Sequence, residues 1–262
     1  MNKKHMAIFY TIKALFISVV ITVAVCVIGL YLYNFTSIKL LTAPPTVFAT
    51  VSANIFSIIA GFSILIAFNR FQDLKNTINQ ELACMGDILD LTVYILDQDK
   101  IKEEIVENVK KYGISVANDE WLHMADKHSH ENTSLCLGNI MNSINNLQDL
   151  DDKDLIIFRL LIERTTDLTT LRANRLKKVK EPFPQLLTMT LYAASINFLI
   201  AIFLLLIPNL FFQAVFLGNI AFITSLVIQL VKDIGNPYRP GVWSVSKDDY
   251  MNIKTSILTQ RA

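Results

Sequence analysis

Long uncharged hydrophobic stretches and one long charged stretch divide this chain of 262 residues. Residues 14–38, 40–69 and 182–231 contain no Asp, Glu, Lys or Arg, whereas 35 of the 47 such residues lie between positions 70 and 181. A helix needs about 20 apolar residues to cross a bilayer, so the first two stretches hold one span each. The third stretch, which Pro208 interrupts, holds two. The pattern predicts an all-α integral membrane protein with four transmembrane helices.

The expected spans cover about residues 14–33, 46–68, 185–207 and 210–231, and each should be helical because lipid offers no partner to an open backbone. This order divides the chain into four parts. They are transmembrane helices 1 and 2 (residues 1–69), a large cytoplasmic helical domain (70–181), transmembrane helices 3 and 4 (182–231) and a cytoplasmic tail (232–262).

Lysine and arginine residues flank the spans mainly on one side, which predicts the orientation. Only Lys39 lies on the opposite side. Positive flanks stay in the cytoplasm, so we expect both termini and the insert to lie there, in a multi-pass membrane protein. The flanking residues are Lys3, Lys4, Lys13, Arg70, Lys75, Arg172, Arg175, Lys177, Lys178, Lys180 and Lys232.

The insert shows helical periodicity. No Gly or Pro occurs between Gly61 and Gly86, so the second span should continue out of the membrane to about residue 97. Asp151–Asp154 offers N-cap residues for a helix that runs through Leu155, Phe158 and Ile162 to Lys180. Two further helical faces are predicted, one with Ile101, Ile105, Val109, Tyr112 and Val116, the other with Leu137, Ile140, Met141, Ile144 and Leu147.

Composition narrows the function. A hydrophobic fraction of 52% concentrated in spans excludes a soluble enzyme and a disordered chain, and a net charge of +1 argues against nucleic-acid binding. Three cysteines are too few for a disulfide framework. No phosphate-binding loop, dinucleotide fingerprint, nucleophile elbow or HExxH motif occurs in the sequence. We therefore expect no enzymatic activity, no catalytic residues and no cofactor.

One cluster has metal-ligand chemistry. It consists of His123, Asp126, His128, His130 and Glu131, with Cys136 nearby. Imidazole and carboxylate groups suit zinc, but the spacing matches no standard zinc motif. A solvated loop is the favoured interpretation, and metal binding is the alternative.

A basic run precedes the third span. It contains Arg172, Arg175, Lys177, Lys178 and Lys180. An orientation signal in contact with anionic lipid explains it, because positive flanks are required there anyway. The alternative is a cytoplasmic vestibule that concentrates anions by its positive potential.

The second span carries a polar stripe. Thr46, Thr50, Asn54, Ser57 and Gly61 recur at helical spacing, and below Gly61 the same face becomes Ile64, Leu65 and Phe68. Such a stripe should avoid acyl chains, so it either packs against another helix or lines water. A polar stripe above an apolar ring could form a constriction that closes by dewetting. A weaker stripe in span four contains Gly218, Ser225 and Gln229.

Several local motifs resemble the bestrophin superfamily, and most closely the bacterial bestrophin-like membrane proteins. The resemblance covers nearly the whole chain, from the span order to the tail. It rests on Asn69-Arg70 at the exit of span two, Glu81 in its extension and Glu120-Trp121 in the insert, on residues 171–176 before span three, and on residues 234–238 after span four with Gly241 and Val245-Ser246.

The resemblance implies a pentameric channel whose second span lines a narrow apolar neck. The expected pore-lining residues are Thr50, Asn54, Ser57 and Gly61, and the neck candidates are Ile58, Phe62, Ile64, Leu65 and Phe68. The acidic calcium-clasp run of bestrophins is replaced here by residues 239–243, so we expect no calcium requirement.

The leading hypothesis is a homo-oligomeric, pentameric, bestrophin-like channel of the bacterial inner membrane that conducts anions such as chloride. Its partners would be its own copies, membrane lipids and permeant inorganic ions. A cation-selective pore on the same scaffold is one alternative, because the stripe is neutral. A non-conducting membrane sensor or effector, whose cytoplasmic helices bind a partner or ligand, is the other.

Overall fold

The computed structural model describes residues 16, 20, 45–95, 98–124, 130–148, 151–181, 183–205, 210–235, 238, 243, 245–251 and 253. Several sequence predictions fall outside this range. They concern almost all of the first span with Cys26, the flanking residues Lys3, Lys4, Lys13 and Lys39, the cluster residues Asp126 and His128, and residues 239–242 of the tail.

All regular secondary structure in the described residues is helical, as predicted. The α-helices are α1 (Pro45–Thr92), α2 (Asp99–Ser115), α3 (Trp121–Met124), α4 (Glu131–Asn145), α5 (Asp152–Lys180), α6 (Gln185–Phe203), α7 (Leu210–Ile234) and α8 (Asp248–Met251), and a π-helical turn (Val116–Glu120) joins α2 to α3.

Helix α1 is continuous over 48 residues, which is about 72 Å at 1.5 Å per residue. It begins at Pro45, a favoured first residue because proline lacks the N–H that would have no partner there. The prediction that the helix of span two continues without a break far past residue 68 is confirmed. The helix ends at Thr92, five residues earlier than expected, where Val93 and Tyr94 form a turn.

The chain forms two compact units. We call residues 1–71 and 183–244 the apolar unit, and residues 72–182 and 245–262 the charged unit. Helix α1 contributes its first part to the apolar unit and its last part to the charged unit.

Three helical segments of the described residues are long and apolar enough to cross a membrane. One lies in α1, one ends with α6 at Phe203, and one lies in α7. In the apolar unit, these helices meet in a core of Ala49 from α1, Ala201 and Ile202 from α6, and Leu217 from α7. Large apolar side chains also cover much of the outer surface of this unit, which suits a lipid environment.

The charged unit is a helical bundle in which four long segments form a closed ring of neighbours. Cys84 of α1 donates to the carbonyl of Arg164 in α5, and Arg172 of α5 donates to Ser134 of α4. Asn108 of α2 donates to Ser143 of α4. The ring closes from α2 back to α1, where Gly113 lies against Met85.

The predicted helical faces of the insert are largely confirmed. Ile105, Val109, Tyr112 and Val116 are fully buried. Leu137, Ile140 and Ile144 of α4 are buried, as is Leu147 just after the helix, but the expectation for Met141 is wrong because its side chain is 40% exposed. The buried positions step by three, four and three, and Met141 lies about 100° around the helix from Ile140.

Helix α5 has both of its predicted ends. Asp151 is the N-cap, and its Oδ1 accepts a hydrogen bond of 2.7 Å from the backbone N–H of Asp154. Acidic residues lie in the first turn and Lys177, Lys178 and Lys180 in the last turn, which complements the helix dipole at both ends.

Candidate functional site

The predicted pore-lining residues lie on an exposed face of α1. Thr50, Asn54, Ser57 and Gly61 are all exposed in the single chain. The hydroxyl of Thr50 donates to the carbonyl of Thr46 one turn earlier, at 2.8 Å. Its proton therefore has a hydrogen-bond acceptor within the helix. A Cβ added at Gly61 would meet open space. The small and polar stripe is therefore not used for packing against the described helices.

The opposite face of α1 carries the packing. Its buried residues, which recur every three or four positions, are Ala49, Ser52, Phe56, Ala60, Ser63 and Ala67. Ser52 accepts a hydrogen bond of 3.1 Å from the amide of Asn197 in α6. Phe56 stacks on Phe198 with 5.3 Å between the ring centroids. Helix α1 therefore has one face that joins it to α6 and another that faces away.

The neck candidates continue the exposed face towards the C-terminal end of α1. Ile58, Phe62, Leu65 and Phe68 are exposed and Ile64 is half-buried. At about 100° per residue, Phe68 lies five turns below Thr50 on the same line, with Ile64 and Leu65 to either side. Ile58 and Phe62 lie farther around the helix, on the same side of the stripe as Leu65.

Phe68 also contacts the tail. Its ring is nearly perpendicular to that of Trp243, with 6.1 Å between the centroids, and the ring of Phe71 is also nearly perpendicular to the indole, at 5.8 Å. The backbone N–H of Trp243 donates to Asp233 Oδ2 at 3.2 Å. The lower end of the candidate neck therefore has an aromatic neighbour that follows α7 in sequence.

The basic run before the third span is divided by the structure. Lys177 and Lys180 are exposed, and Lys178 is half-buried with its Nζ 2.8 Å from Asp73 Oδ2. Arg172 and Arg175 are buried in ion pairs instead. The vestibule interpretation therefore does not extend to these two arginines, because their guanidinium groups are not open to ions or lipid in this chain.

The arginines belong to a buried charge network in the charged unit. Arg175 of α5 forms a forked pair with Glu81 of α1, with Nε 2.6 Å from Oε2 and Nη2 3.1 Å from Oε1. The same Nη2 donates to Glu120 Oε2 at 3.0 Å. Arg172 completes the set with Nη2 2.8 Å from Glu120 Oε1. Two carboxylates and two guanidinium groups thus balance in charge.

Two tyrosines complete the coordination of Glu81. The hydroxyl of Tyr112 donates to Oε1 at 2.6 Å, and that of Tyr250 donates to Oε2 at 2.9 Å. Burial, and then the charge of Glu81, raise the pKa of Tyr112 well above its usual value. This tyrosine therefore stays a hydrogen-bond donor, which a buried carboxylate needs.

Local irregularities of the backbone position these groups. The π-helical turn widens the helix after Ser115 and directs Glu120 into the core, where α5 supplies the arginines. Helix α8 brings Tyr250, whose ring lies 5.8 Å from the Arg175 guanidinium carbon. Gly113 allows this approach, because a Cβ there would lie 2.9 Å from the Tyr250 carbonyl oxygen.

The network differs from an ion-binding site because each charged group already faces a partner. A permeant anion would have to displace Glu81 or Glu120 from the arginines, and both carboxylates are fully buried. The arrangement suits a structural role, in which the network holds together five segments of the chain: α1, α2, the π-helical turn, α5 and α8.

Metal chemistry finds no support in the described residues, where no three His, Cys, Asp or Glu side chains are placed to hold an ion. Of the candidate ligands, His130 is the N-cap of α4, and Glu131 and Cys136 lie within that helix. His128 and the side chain of His123 lie outside the described part of the chain, so the prediction about them stays a prediction.

Sequence reasoning missed Tyr250 as a site residue. Glu81 and Glu120 entered only through the family resemblance, Arg172 and Arg175 were predicted as part of the basic run, and nothing local to these residues signals that they meet. Tyr250 follows Asp248-Asp249 in a segment without helical periodicity, so a signal for its burial is absent from the sequence.

Comparison with known proteins gives a consistent result. A family model described as a bestrophin-like domain matches residues 16–250. The crystal structure of a bacterial bestrophin homologue from Klebsiella pneumoniae has a TM-score of 0.71 with this chain at 16% identity, and the match covers 96% of this chain and 97% of that one. A single-residue variant of the homologue gives a TM-score of 0.72 at 17% identity, over 97% and 98% of the two chains. No curated protein sequence matches the chain.

Proposed function

Because the chain belongs to the bestrophin-like family, which provides a channel-type scaffold, we propose that it forms a homopentameric channel that conducts anions such as chloride across the bacterial inner membrane. The observation that carries the proposal is the exposed stripe of α1. Packing within the chain uses the opposite face of this helix and leaves Thr50, Asn54, Ser57 and Gly61 outward. A ring of copies would bring these stripes together around a water-filled path.

The arrangement in the membrane follows from the charge distribution. The charged unit and both termini would lie in the cytoplasm, as the positive flanks predict. Lys177 and Lys180 would contact anionic lipid or raise the local concentration of anions. Below the polar stripe, Ile64, Leu65 and Phe68 would form an apolar neck that closes by excluding water. No cofactor or catalytic step is needed for such a function.

A matched pair of alanine variants tests the pore. Phe68→Ala removes an exposed ring from the candidate neck, so we expect higher conductance in reconstituted bilayers with the oligomer intact. Phe56→Ala removes a ring of equal size from the buried face of the same helix. This control should cost about 3–5 kcal/mol in stability without raising the open probability.

Leu65→Ala and Ile64→Ala extend the test, and Ile58→Ala and Phe62→Ala report on the flanks. If none of the five neck variants changes conductance or ion preference, α1 does not line the pore.

The sign of the permeant ion requires its own measurement. Under a KCl gradient, the reversal potential should approach the chloride equilibrium potential. A value near the potassium potential would identify the cation-selective alternative, which the neutral stripe also allows. Absence of conductance from oligomers that insert correctly would favour the non-conducting sensor.

A further inference from the structure

Trp243 connects the tail to the part of α1 that carries the candidate neck. Its indole is nearly perpendicular to the rings of Phe68 and Phe71, at centroid distances of 6.1 Å and 5.8 Å. Such pairs attract because the positive edge of one ring meets the negative face of the other. Phe68 is exposed and Phe71 is buried, so one indole contacts both the exposed face and the packing face of α1.

The contact lies at one edge of the polar stripe. At about 100° per residue, Phe71 lies about 60° around α1 from Phe68, on the same side as Ile64. An indole that contacts both rings therefore lies beside the stripe and not in front of it. This position favours a Phe68 ring that leans towards the buried side of the helix, away from the line on which Thr50 lies.

The exposure of the neck candidates agrees with this position. Ile58 and Phe62 are each 58% exposed and Leu65 is 51% exposed, but Phe68 is only 36% exposed. Phe62 and Phe68 carry the same ring on the same helix. The ring that contacts the tail is thus the most covered of the four exposed candidates, before any neighbouring copy is added.

Two attachments hold Trp243 in place. Its backbone N–H donates to Asp233 Oδ2 at 3.2 Å, which ties this part of the tail to the end of α7. Seven residues later, Tyr250 is buried with its hydroxyl bonded to Glu81 of α1. The indole therefore belongs to a segment that is fixed on both sides, as a group that positions another must be.

The length of this segment suits two contacts with one helix. Phe71 and Glu81 lie ten residues apart in α1, which is about 15 Å at 1.5 Å per residue. A helix over residues 243–250 would extend only about 10 Å, whereas an extended chain would reach about 23–25 Å. Residues 245–247 contain no helix, so the tail reaches both contacts with few residues to spare.

We propose that Trp243 is a positioning residue of the neck, whose indole holds the Phe68 ring at the side of α1 and out of the ion path. The inference rests on the channel proposed above, with α1 lining the pore, and it adds a residue that sets the width of the neck. Without the indole, the Phe68 ring can adopt rotamers that point along the stripe. In an oligomer, every copy would then add apolar surface at the constriction, which favours exclusion of water.

Conductance of reconstituted oligomers tests this role. Trp243→Ala should lower the mean conductance about 2- to 12-fold, because one aromatic pair contributes about 0.5–1.5 kcal/mol and 1.4 kcal/mol is a factor of ten. Trp243→Phe keeps a ring at this position and should retain most of the conductance. The oligomer fraction in mild detergent is measured on the same samples. Trp243→Leu, which keeps apolar volume without a ring, takes the place of the alanine variant if alanine reduces assembly.

Two double variants separate positioning from packing. In a Phe68→Ala background there is no ring to hold, so Trp243→Ala should have no further effect on conductance. In a Phe71→Ala background the Phe68 ring is still present, so Trp243→Ala should still lower conductance. Phe71 is the matched control because it offers the same ring to the same indole from the buried face. Equal effects of Trp243→Ala in the two backgrounds would overturn the proposal.

Fluorescence tests the contact without any ion current. The chain has two tryptophans, so Trp121→Phe leaves Trp243 as the only one that emits. In this background, Phe68→Ala should increase the quenching of Trp243 by acrylamide, because it removes one of the two rings that contact the indole. Phe62→Ala removes an exposed ring elsewhere on the same helix and should leave quenching unchanged. Equal quenching in these two variants would contradict the contact.

The outcomes separate this inference from the channel itself. If the wild-type protein conducts and the assembled Trp243→Ala variant conducts equally well or better, the positioning role is wrong and the channel proposal stands. If correctly inserted oligomers carry no current, the channel proposal is wrong, and the positioning of a neck residue is rejected with it. The fluorescence result then still decides whether the indole holds the Phe68 ring.

Discussion

In the apolar unit, Ser52 and Asn197 join two helices while Thr50, Asn54 and Ser57 remain on the outer face of the same α1. In the charged unit, the strongest polar groups, Glu81, Glu120 and Arg175, are fully buried and pair with one another. The exposed apolar side chains of the apolar unit are favourable only in lipid. The polar stripe on the same unit instead needs contact with water or with another subunit. The charged unit pairs its buried carboxylates and guanidinium groups with one another, so these groups need neither water nor another subunit.

The largest effect should come from breaking the charge network. Arg175→Met leaves Glu81 buried without its forked partner, which should lower the free energy of unfolding by about 3–5 kcal/mol. The control is Arg164→Met on the same helix, whose pairs with Asp87 and Asp167 are partly exposed and should contribute less than about 1 kcal/mol. Thermal unfolding of the detergent-purified protein measures both. Equal midpoints for the two variants would show that the network is not the stabilising centre of the charged unit.

A smaller effect should follow from displacing α8. A methyl group at Gly113 would lie 2.9 Å from the Tyr250 carbonyl oxygen and 3.2 Å from Met85 Cε. Gly113→Ala should therefore destabilise the charged unit by about 1–3 kcal/mol and increase protease cleavage near Tyr250. Gly86→Ala is the matched control, because nothing lies within 4 Å of its added Cβ. In a helix this control should be neutral or stabilising by up to about 1 kcal/mol. Similar losses from both glycine variants would contradict the close packing of α8.

The tyrosine hydroxyls should show a pH-dependent contribution. Since the folded-state pKa of Tyr112 is raised, its stabilisation is fully present below pH about 10 and is lost as the pH rises above that value. Tyr112→Phe should cost about 1.5–3 kcal/mol at pH 8, because the bond is to a charged group, and should reduce the loss of stability at alkaline pH. Tyr94→Phe, at an exposed tyrosine, is the control. An unchanged alkaline transition in the Tyr112 variant would show that another group controls it.

The smallest effect distinguishes two serines of α1. Ser52→Ala removes the acceptor of the Asn197 amide and should cost about 0.6 kcal/mol, the average for hydrogen bonds between membrane helices. Ser57→Ala, on the exposed stripe, should leave stability unchanged and alter conductance instead. A loss of stability from the Ser57 variant alone would indicate that the stripe packs rather than lines water.

The helices could be predicted from the sequence because the patterns that indicate them are local. The charge-free stretches predict α6 and α7, the Gly- and Pro-free run predicts the length of α1, and Asp151 predicts the start of α5. The two faces of α1 were also visible, since a stripe of small and polar residues recurs at helical spacing. The two interpretations of this stripe, packing against another helix and lining water, could not be distinguished, because the sequence does not show which face the next helix covers.

The charge network could not be predicted in the same way. Arg172 and Arg175 belong to a run of five basic residues, and a run of that kind beside a span normally marks orientation. Their burial depends on Glu81 and Glu120, which lie far away in sequence, and on a π-helical turn that no local pattern announces. Local periodicity predicts which face is apolar, whereas pairing between distant charges is decided by tertiary packing.

The contact of Tyr250 with Glu81 also means that the charge network can be completed only late in the synthesis of the chain. Glu81 and Arg175 leave the ribosome before α6 and α7, but Tyr250 is made only after both apolar helices. At about 5–20 residues per second, the roughly 70 residues from Lys180 to Tyr250 take about 4–14 s. During that interval the bundle lacks its last donor to Glu81, so its final closure waits until the apolar helices have reached the insertion machinery. A nascent chain that stalls within α7 would therefore expose an unfinished core to proteases.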